Sequence, residues 1–347
     1  MQRDPALEYL NRRTNAMDRR AYLRAMGVGE IIDVATRAYQ KLGRTILRQT
    51  AAPMLLCFSV LVFFFVFLGP TFFQTSNPDS LATQIAEAFG VLVVGCVVAV
   101  PLFFLGMAYA QGFVTRLVAD FVLGNVPDER SALEGARRGL KTMFGVCVRV
   151  FFAAFGTAIV GGLLLGLSAL ATDRTTSGDS WPAIVTIIAT LLLIASPIMP
   201  IIAIARYSLA PVTVVLEGCP VKVGIQRGKD LMKSRPFQPG AGDTVAAVIL
   251  LCTFLFFCIW GGTAMGFGLL GVSEHARNWL GAGPVGAVTQ SMIVMLPVYF
   301  ALWVVSPVWC ATCTLLYFDR RIRLEGYDIF ILEQDVRRAS RKSRFQF

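Results

Sequence analysis

Long uncharged apolar runs alternate with short charged stretches through most of this chain, at 49–78, 88–115, 150–172, 180–205, 244–273 and 278–318. Each is long enough for a membrane helix, which needs roughly 20 apolar residues to cross about 30 Å of hydrocarbon at 1.5 Å per residue. The last run exceeds one span and holds Pro297 and Pro307. A break at either proline leaves unequal pieces, so the pattern predicts a loop over 278–285 and then one long span with the prolines as kink points.

A second pattern precedes the first, third and fifth runs. Ile32, Ala35 and Tyr39, then Leu133, Ala136 and Leu140, then Ile225, Gly228 and Met232 all follow i, i+3, i+7 spacing. That spacing puts each triplet on one helical face, with Arg37, Lys41, Arg137, Arg138, Lys141, Arg227, Lys229 and Lys233 on the polar side. Helices of this kind lie in the membrane interface. The ends of the even-numbered runs also match: Val122-Leu123-Gly124-Asn125-Val126-Pro127 resembles Val215-Leu216-Glu217-Gly218-Cys219-Pro220, and Leu324-Glu325-Gly326 closes a third copy.

The expected fold is therefore all-α and polytopic, with six transmembrane helices in three repeats, each preceded by an amphipathic interfacial helix. Residues 1–25 form an N-terminal segment, 26–125, 126–218 and 219–328 the three repeats, and 329–347 a basic tail carrying Ile329, Leu332, Val336 and Ala339. Repeats in one orientation predict a parallel, pseudo-threefold arrangement, unlike the inverted repeats of many secondary transporters.

Charge orients this layout. Of 32 Lys and Arg residues, 30 fall in segments on one side of a six-span chain, and only Arg174 and Arg277 on the other. Basic residues are retained in the cytoplasm, so both termini are expected there. Splitting the last run into two spans would export the eight basic residues that follow it. The net charge of +10 sits beside the spans rather than in a basic domain, which points to anionic lipid headgroups as partners, and to no nucleic acid. Arg12, Arg13, Arg19, Arg20 and Arg24 precede no short apolar stretch with a cleavage site, so the first span is expected to be retained.

Little of the sequence offers chemistry. His275 is the only histidine, which excludes paired-His metal sites and chemistry needing separate histidine acid and base groups. Cys310-Ala311-Thr312-Cys313 has CxxC spacing but lies in an apolar helix, where packing explains it better than redox chemistry. The segment from Gly135 to Thr142 resembles a phosphate loop only in composition, because lysine does not follow its second glycine and no strand precedes it. Gly162 with Gly166, and Gly262 with Gly266, are small-xxx-small pairs read as internal packing. Pro101, Pro197, Pro200 and Pro297 fall inside the even-numbered spans, where each removes a backbone donor.

The charged residues at the span ends form the candidate headgroup or gate cluster: Arg116 with Asp120 as an i, i+4 pair, Arg206, and Asp319 with Arg320 and Arg321. No catalytic residue, metal or cofactor is expected.

Several of these residues also carry a resemblance. Gly29-Glu30-Ile31-Ile32-Asp33 with Arg37-Ala38-Tyr39, Ala210-Pro211 with Leu216-Glu217-Gly218, and Leu315-Leu316-Tyr317-Phe318-Asp319 with Arg321, Glu325, Gly326, Tyr327 and Asp328 resemble one bacterial group. That group is the family named for the membrane domain of glycerophosphoryl diester phosphodiesterases, and the resemblance runs from about Gly27 to Asp328. Gly228 departs from the family pattern, where serine is common. The family's phosphodiesterase chemistry belongs to a separate soluble barrel of about 200 residues or more, for which this chain has neither length nor histidines.

The resemblance implies the membrane part alone, in a bacterial cytoplasmic (inner) membrane. The expected role is non-enzymatic: a scaffold or accessory protein binding lipid or a membrane-protein partner. The alternative is a transporter or lipid-handling protein with a cavity between the proline-containing helices. An enzyme centred on Asp319 and Arg320 is the third reading.

Overall fold

The computed structural model describes residues 24–73, 99–172, 181–233, 241–272, 274–275 and 284–327, and among them there is no strand. The helices in chain order are α1 (Val28–Phe73), α2 (Val100–Val122), α3 (Glu129–Thr172), α4 (Trp181–Ala195), α5 (Ile198–Tyr207), α6 (Ala210–Glu217), α7 (Val221–Met232), α8 (Ala241–Leu269) and α9 (Pro284–Glu325). Six stretches are long and apolar enough to cross a membrane: Val28–Phe63, Val100–Val122, Glu129–Ser168, Ile198–Glu217, Gly242–Leu269 and Thr289–Glu325. The chain is a polytopic, all-α membrane protein.

Local chemistry sets the helix ends. The Glu30 carboxylate accepts the Gly27 N–H at 3.1 Å and so caps the start of α1. Asp128 does the same for α3, accepting the N–H groups of Arg130 and Ser131, each at 3.2 Å. Pro284 occupies the first position of α9, where its missing N–H costs nothing. Gly124, Gly218 and Gly326 stop α2, α6 and α9 in the left-handed region at φ 65°, 65° and 63°, which a side chain would strain.

The expected spans are refined in three places. The first and second amphipathic segments are continuous with the spans they precede, so α1 and α3 run 46 and 44 residues. At 1.5 Å per residue both exceed about 65 Å, more than the roughly 40–45 Å of a whole bilayer, so their charged N-terminal parts stand clear of the hydrocarbon. Only α7 is a separate amphipathic helix. The fourth run, expected at 180–205, continues to Glu217 and breaks twice, at Ser196-Pro197 and at Ser208-Leu209 just before Pro211. Proline removes a ladder donor at each break. Pro297 and Pro307, by contrast, leave α9 continuous from Pro284. Much of the expected loop over 278–285, the N-terminal segment and the basic tail lie outside the described residues.

Packing is densest where the even-numbered spans end. The membrane stretch of α2 is 61% buried, against 11% for α3 and 17% for α8, so α2 is central and the other two are peripheral. One core cluster joins the ends of α2 and α9 (Phe113, Leu117, Val118, Leu315, Leu316, Phe318) to Leu209 beside α6. Around it, α3 crosses α2, α7 crosses α6, and α1 crosses α9, while α2, α6 and α9 touch one another.

Small residues allow each crossing. Ala132 and Ala136 of α3, Gly224 and Gly228 of α7, and Ile31 and Ala35 of α1 are buried at corresponding positions. A Cβ on Gly228 would stand 2.8 Å from the Ala210 nitrogen, so the backbones there are nearly in contact. The buried stripe on α1 runs through Ile31, Val34, Ala35 and Ala38, turned slightly from the predicted Ile32, Ala35, Tyr39 face.

One packing expectation is corrected. A Cβ on Gly162, Gly166, Gly262 or Gly266 would meet nothing within 4 Å, so these pairs do not mediate contacts among the described residues. Beside Gly162 it is Gly161 that packs closely: its Cβ would lie 3.2 Å from the Ala189 carbonyl oxygen and from Leu192 of α4.

Candidate functional site

The polar residues that gather at the ends of α2, α6 and α9 are the candidate site, and they fall into three groups. The first is built on Asp319. Its carboxylate accepts the Met26 N–H at 2.8 Å and both its oxygens receive Arg323 Nε at 2.9 and 3.0 Å. Arg323 also donates to the Met26 carbonyl at 2.7 Å. Asp319 is 3% exposed, and this doubly tied Met26 is where the chain enters α1. The pair thus fastens the start of the first helix to the end of the last. Arg320 is buried beside it, in the field of Asp319 and Asp243.

The second group is a closed ring of hydrogen bonds across three helices. Tyr317 of α9 donates to Glu217 of α6 at 2.8 Å and accepts from Arg321 at 3.1 Å. Arg321 Nε donates to Glu325 at 3.1 Å, Glu325 pairs with Arg227 of α7, and Arg227 Nε reaches Glu217 at 3.5 Å. The Tyr327 ring lies 4.0 Å from the Arg321 guanidinium, a cation–π contact. Two arginines balance two glutamates, so the ring is neutral. Its four charged members are about a quarter to a third exposed, which makes any single ion pair worth about 0–1 kcal/mol. What the ring supplies is register: α6, α7 and α9 must all be in place for it to close.

The third group surrounds Arg116. The expected Arg116–Asp120 pair does not form: Arg116 turns under α3 and donates to the Val215 carbonyl at 3.3 Å, whereas Asp120 accepts the Asn125 amide at 3.4 Å. The reason is a carbonyl of the α6 end within reach, where a cation is favoured by the helix dipole. Gly135 makes room, since a Cβ there would run into the Arg116 side chain. A cavity of about 190 Å³ opens beside it, lined by Arg116, Arg138, Thr142, Val215, Gly218 and others.

The six charged residues singled out in the sequence therefore do not converge on one cleft. Arg116, Asp319 and Arg321 each belong to a different group, Arg320 is buried beside Asp319, Asp120 sits on the outer turn of α2, and Arg206 is exposed in the last turn of α5. The residues that sequence reasoning missed are Glu217, Glu325 and Arg227. A signal existed: Glu217 and Glu325 occupy the same place in the two Leu-Glu-Gly motifs, and the structure turns both onto Arg227.

Two other sequence candidates have plain environments. His275 is exposed, with Nδ1 3.0 Å from the Gly271 carbonyl oxygen. Cys310 and Cys313 are buried in α9, where they face Gln111, Thr115, Ser208 and Pro211 across a space of only about 10 Å³ between α2, α6 and α9. Comparison of the chain with protein-family models, curated proteins and solved structures finds no match in any of the three.

Proposed function

We propose that this chain is a non-enzymatic scaffold or accessory protein of a bacterial cytoplasmic membrane, binding anionic lipid or a membrane-protein partner, with both termini cytoplasmic. One observation carries the reading: the strongest polar groups are spent on one another. Asp319 is tied to Arg323 and Met26, and Glu217, Arg227, Tyr317, Arg321 and Glu325 close on themselves, so these groups hold helices in register rather than aim at a reacting atom.

A threefold repeat underlies the arrangement. Three crossings with small residues at corresponding positions, closing in a ring from α1 to α9, support three units of one amphipathic segment and two spans. The three left-handed glycines at the ends of α2, α6 and α9 support the same division. Residues that carry the resemblance to the phosphodiesterase membrane-domain family, Glu217, Tyr317, Arg321 and Glu325, meet in the neutral ring.

Transport is the second reading, and the axis weighs against it. The space where α2, α6 and α9 meet is about the size of one water molecule, far below the roughly 300 Å³ at which ligand pockets begin. The test is extraction of the full chain with its surrounding membrane, followed by lipid and protein mass spectrometry. Enrichment of an anionic lipid over the bulk, or a stoichiometric protein partner, is the expected result. Substrate-dependent flux in reconstituted vesicles, lost on changing Pro197 or Pro297, would replace the scaffold with a transporter.

A further inference from the structure

The crevice where α3 crosses α2 and meets the end of α6 has a counterpart where α7 crosses α6 and meets the end of α9, and the two are filled differently. In the α6–α7–α9 crevice a central cation, Arg227, receives one carboxylate from each neighbouring end, Glu217 and Glu325. Aligning Ala136 with Gly228 places Gly135 at the position of Arg227. The cation in the α2–α3–α6 crevice is supplied instead from α2, as Arg116, which occupies the space that Gly135 leaves.

No carboxylate accompanies it. The α2 end reads Leu123-Gly124 where the α6 end reads Leu216-Glu217, and Glu217, the counterpart of Glu325, is turned to Arg227 and Tyr317. Arg116 Nε is shielded from solvent and has no hydrogen-bond partner among the described residues, while its other contact is the 3.3 Å bond to the Val215 carbonyl. A guanidinium nitrogen buried in this way leaves a strong donor unused.

The surrounding cavity has the matching chemistry. Its charged lining residues are Arg116 and Arg138, no Asp or Glu lines it, and the Thr142 hydroxyl adds a neutral donor. Arg138 pairs with Glu134 at 3.1 Å, but both side chains are mostly exposed, so that pair is worth about 0–1 kcal/mol and exchanges readily. The carbonyl ends of α6 oppose an anion, and Arg116 stands against them. At about 190 Å³ the cavity is smaller than a drug-sized pocket and suits one polyatomic anion rather than a whole lipid.

We propose that this crevice binds a phosphate group, with Arg116 as the shielded ligand, Arg138 at the mouth and Thr142 beside them. The phosphate takes the place that the two glutamates hold in the neighbouring crevice. Planar guanidinium donors match phosphate oxygens in pairs, and the crevice lies at the basic end of the spans, the depth of lipid headgroups. The proposal deepens the lipid-binding reading above and rests on it for the membrane placement.

The test is a binding isotherm of the purified full chain in neutral detergent with short-chain phosphatidylglycerol, with inorganic phosphate as a second probe. Saturable binding is expected, weakened at least tenfold in Arg116→Gln, severalfold in Arg138→Gln, and unchanged in Arg206→Gln, which removes an exposed charge at the same end. Arg116→Lys keeps the charge without the fork and is expected to fall between, with an unchanged melting midpoint showing that the fold survives. If inorganic phosphate competes at similar concentration, the ligand is the phosphate group itself; if only the short-chain lipid binds, the ligand is a headgroup.

Unsaturable binding, wild-type affinity in Arg116→Gln, or equal losses in Arg116→Gln and Arg206→Gln would overturn the proposal. Such a result leaves the scaffold reading standing if the extracted wild-type protein still carries anionic lipid or a partner. A wild-type protein that carries neither removes the scaffold reading, while the isotherm still decides the crevice.

Discussion

Tyr317 donates its phenolic hydrogen to Glu217 from 100 residues away in sequence, at 2.8 Å, and in doing so joins the last turns of α9 and α6. The same hydroxyl accepts from Arg321, one turn further along α9. A single oxygen therefore carries both a link between helices and a link along one helix.

Tyr317→Phe keeps the buried ring and deletes both bonds. The expected cost is about 1.5–3 kcal/mol, because each of the two bonds lost has a charged partner, Glu217 and Arg321. It should appear as a lower thermal midpoint of the detergent-solubilised chain. Glu217→Gln in the same background should add less than it does alone, because the two share one network. Full additivity would show that the ring is not a unit.

Asp319→Asn tests the tie between the ends of the chain. The amide oxygen still accepts the Met26 N–H, but Arg323 is left without its counterion in a site where the carboxylate is only 5% exposed. Removing one partner of a buried pair costs roughly 3–5 kcal/mol, and the 20% exposure of Arg323 should place this variant at the low end. Arg323→Gln should cost at least as much, since it strands the more buried Asp319 carboxylate and also takes the donor from the Met26 carbonyl. Lipid composition of cells carrying Asp319→Asn should match that of wild type; a changed lipid pool would revive the enzyme reading.

The six spans and their order were legible in the apolar runs because bilayer thickness fixes their length. The amphipathic segments were legible too, since Ala35, Ala136 and Gly228 are each the middle member of an i, i+3, i+7 triplet and are the very residues buried at the crossings. What sequence could not show was which neighbour each segment crosses. Asp319 with Arg323 is an i, i+4 relation open to reading, whereas Met26 joins it through backbone atoms that carry no sequence signal. Arg116 was placed with Asp120 for the same local reason, and lost that partner to a carbonyl of α6 that only the fold brings near. The two glycine pairs misled because small-xxx-small spacing marks a face without saying that anything covers it.

Gly228→Val and Gly162→Val separate those two kinds of glycine. At Gly228 an added Cβ stands 2.8 Å from the Ala210 nitrogen and 2.9 Å from its Cα, atoms of backbone that cannot swing aside. Overpacking there should cost roughly 1–3 kcal/mol or more and push α7 off α6. Because α7 carries Arg227, the neutral ring should open as well, and Tyr317→Phe should then have little further effect. At Gly162 a side chain meets nothing within 4 Å, so the same substitution should leave the thermal midpoint unchanged or slightly raised by the better helix propensity of valine. Equal destabilisation by both would mean that α3 uses the Gly162 face against another molecule in the solubilised protein, which a shift of oligomeric mass in the Gly162→Val variant would detect directly.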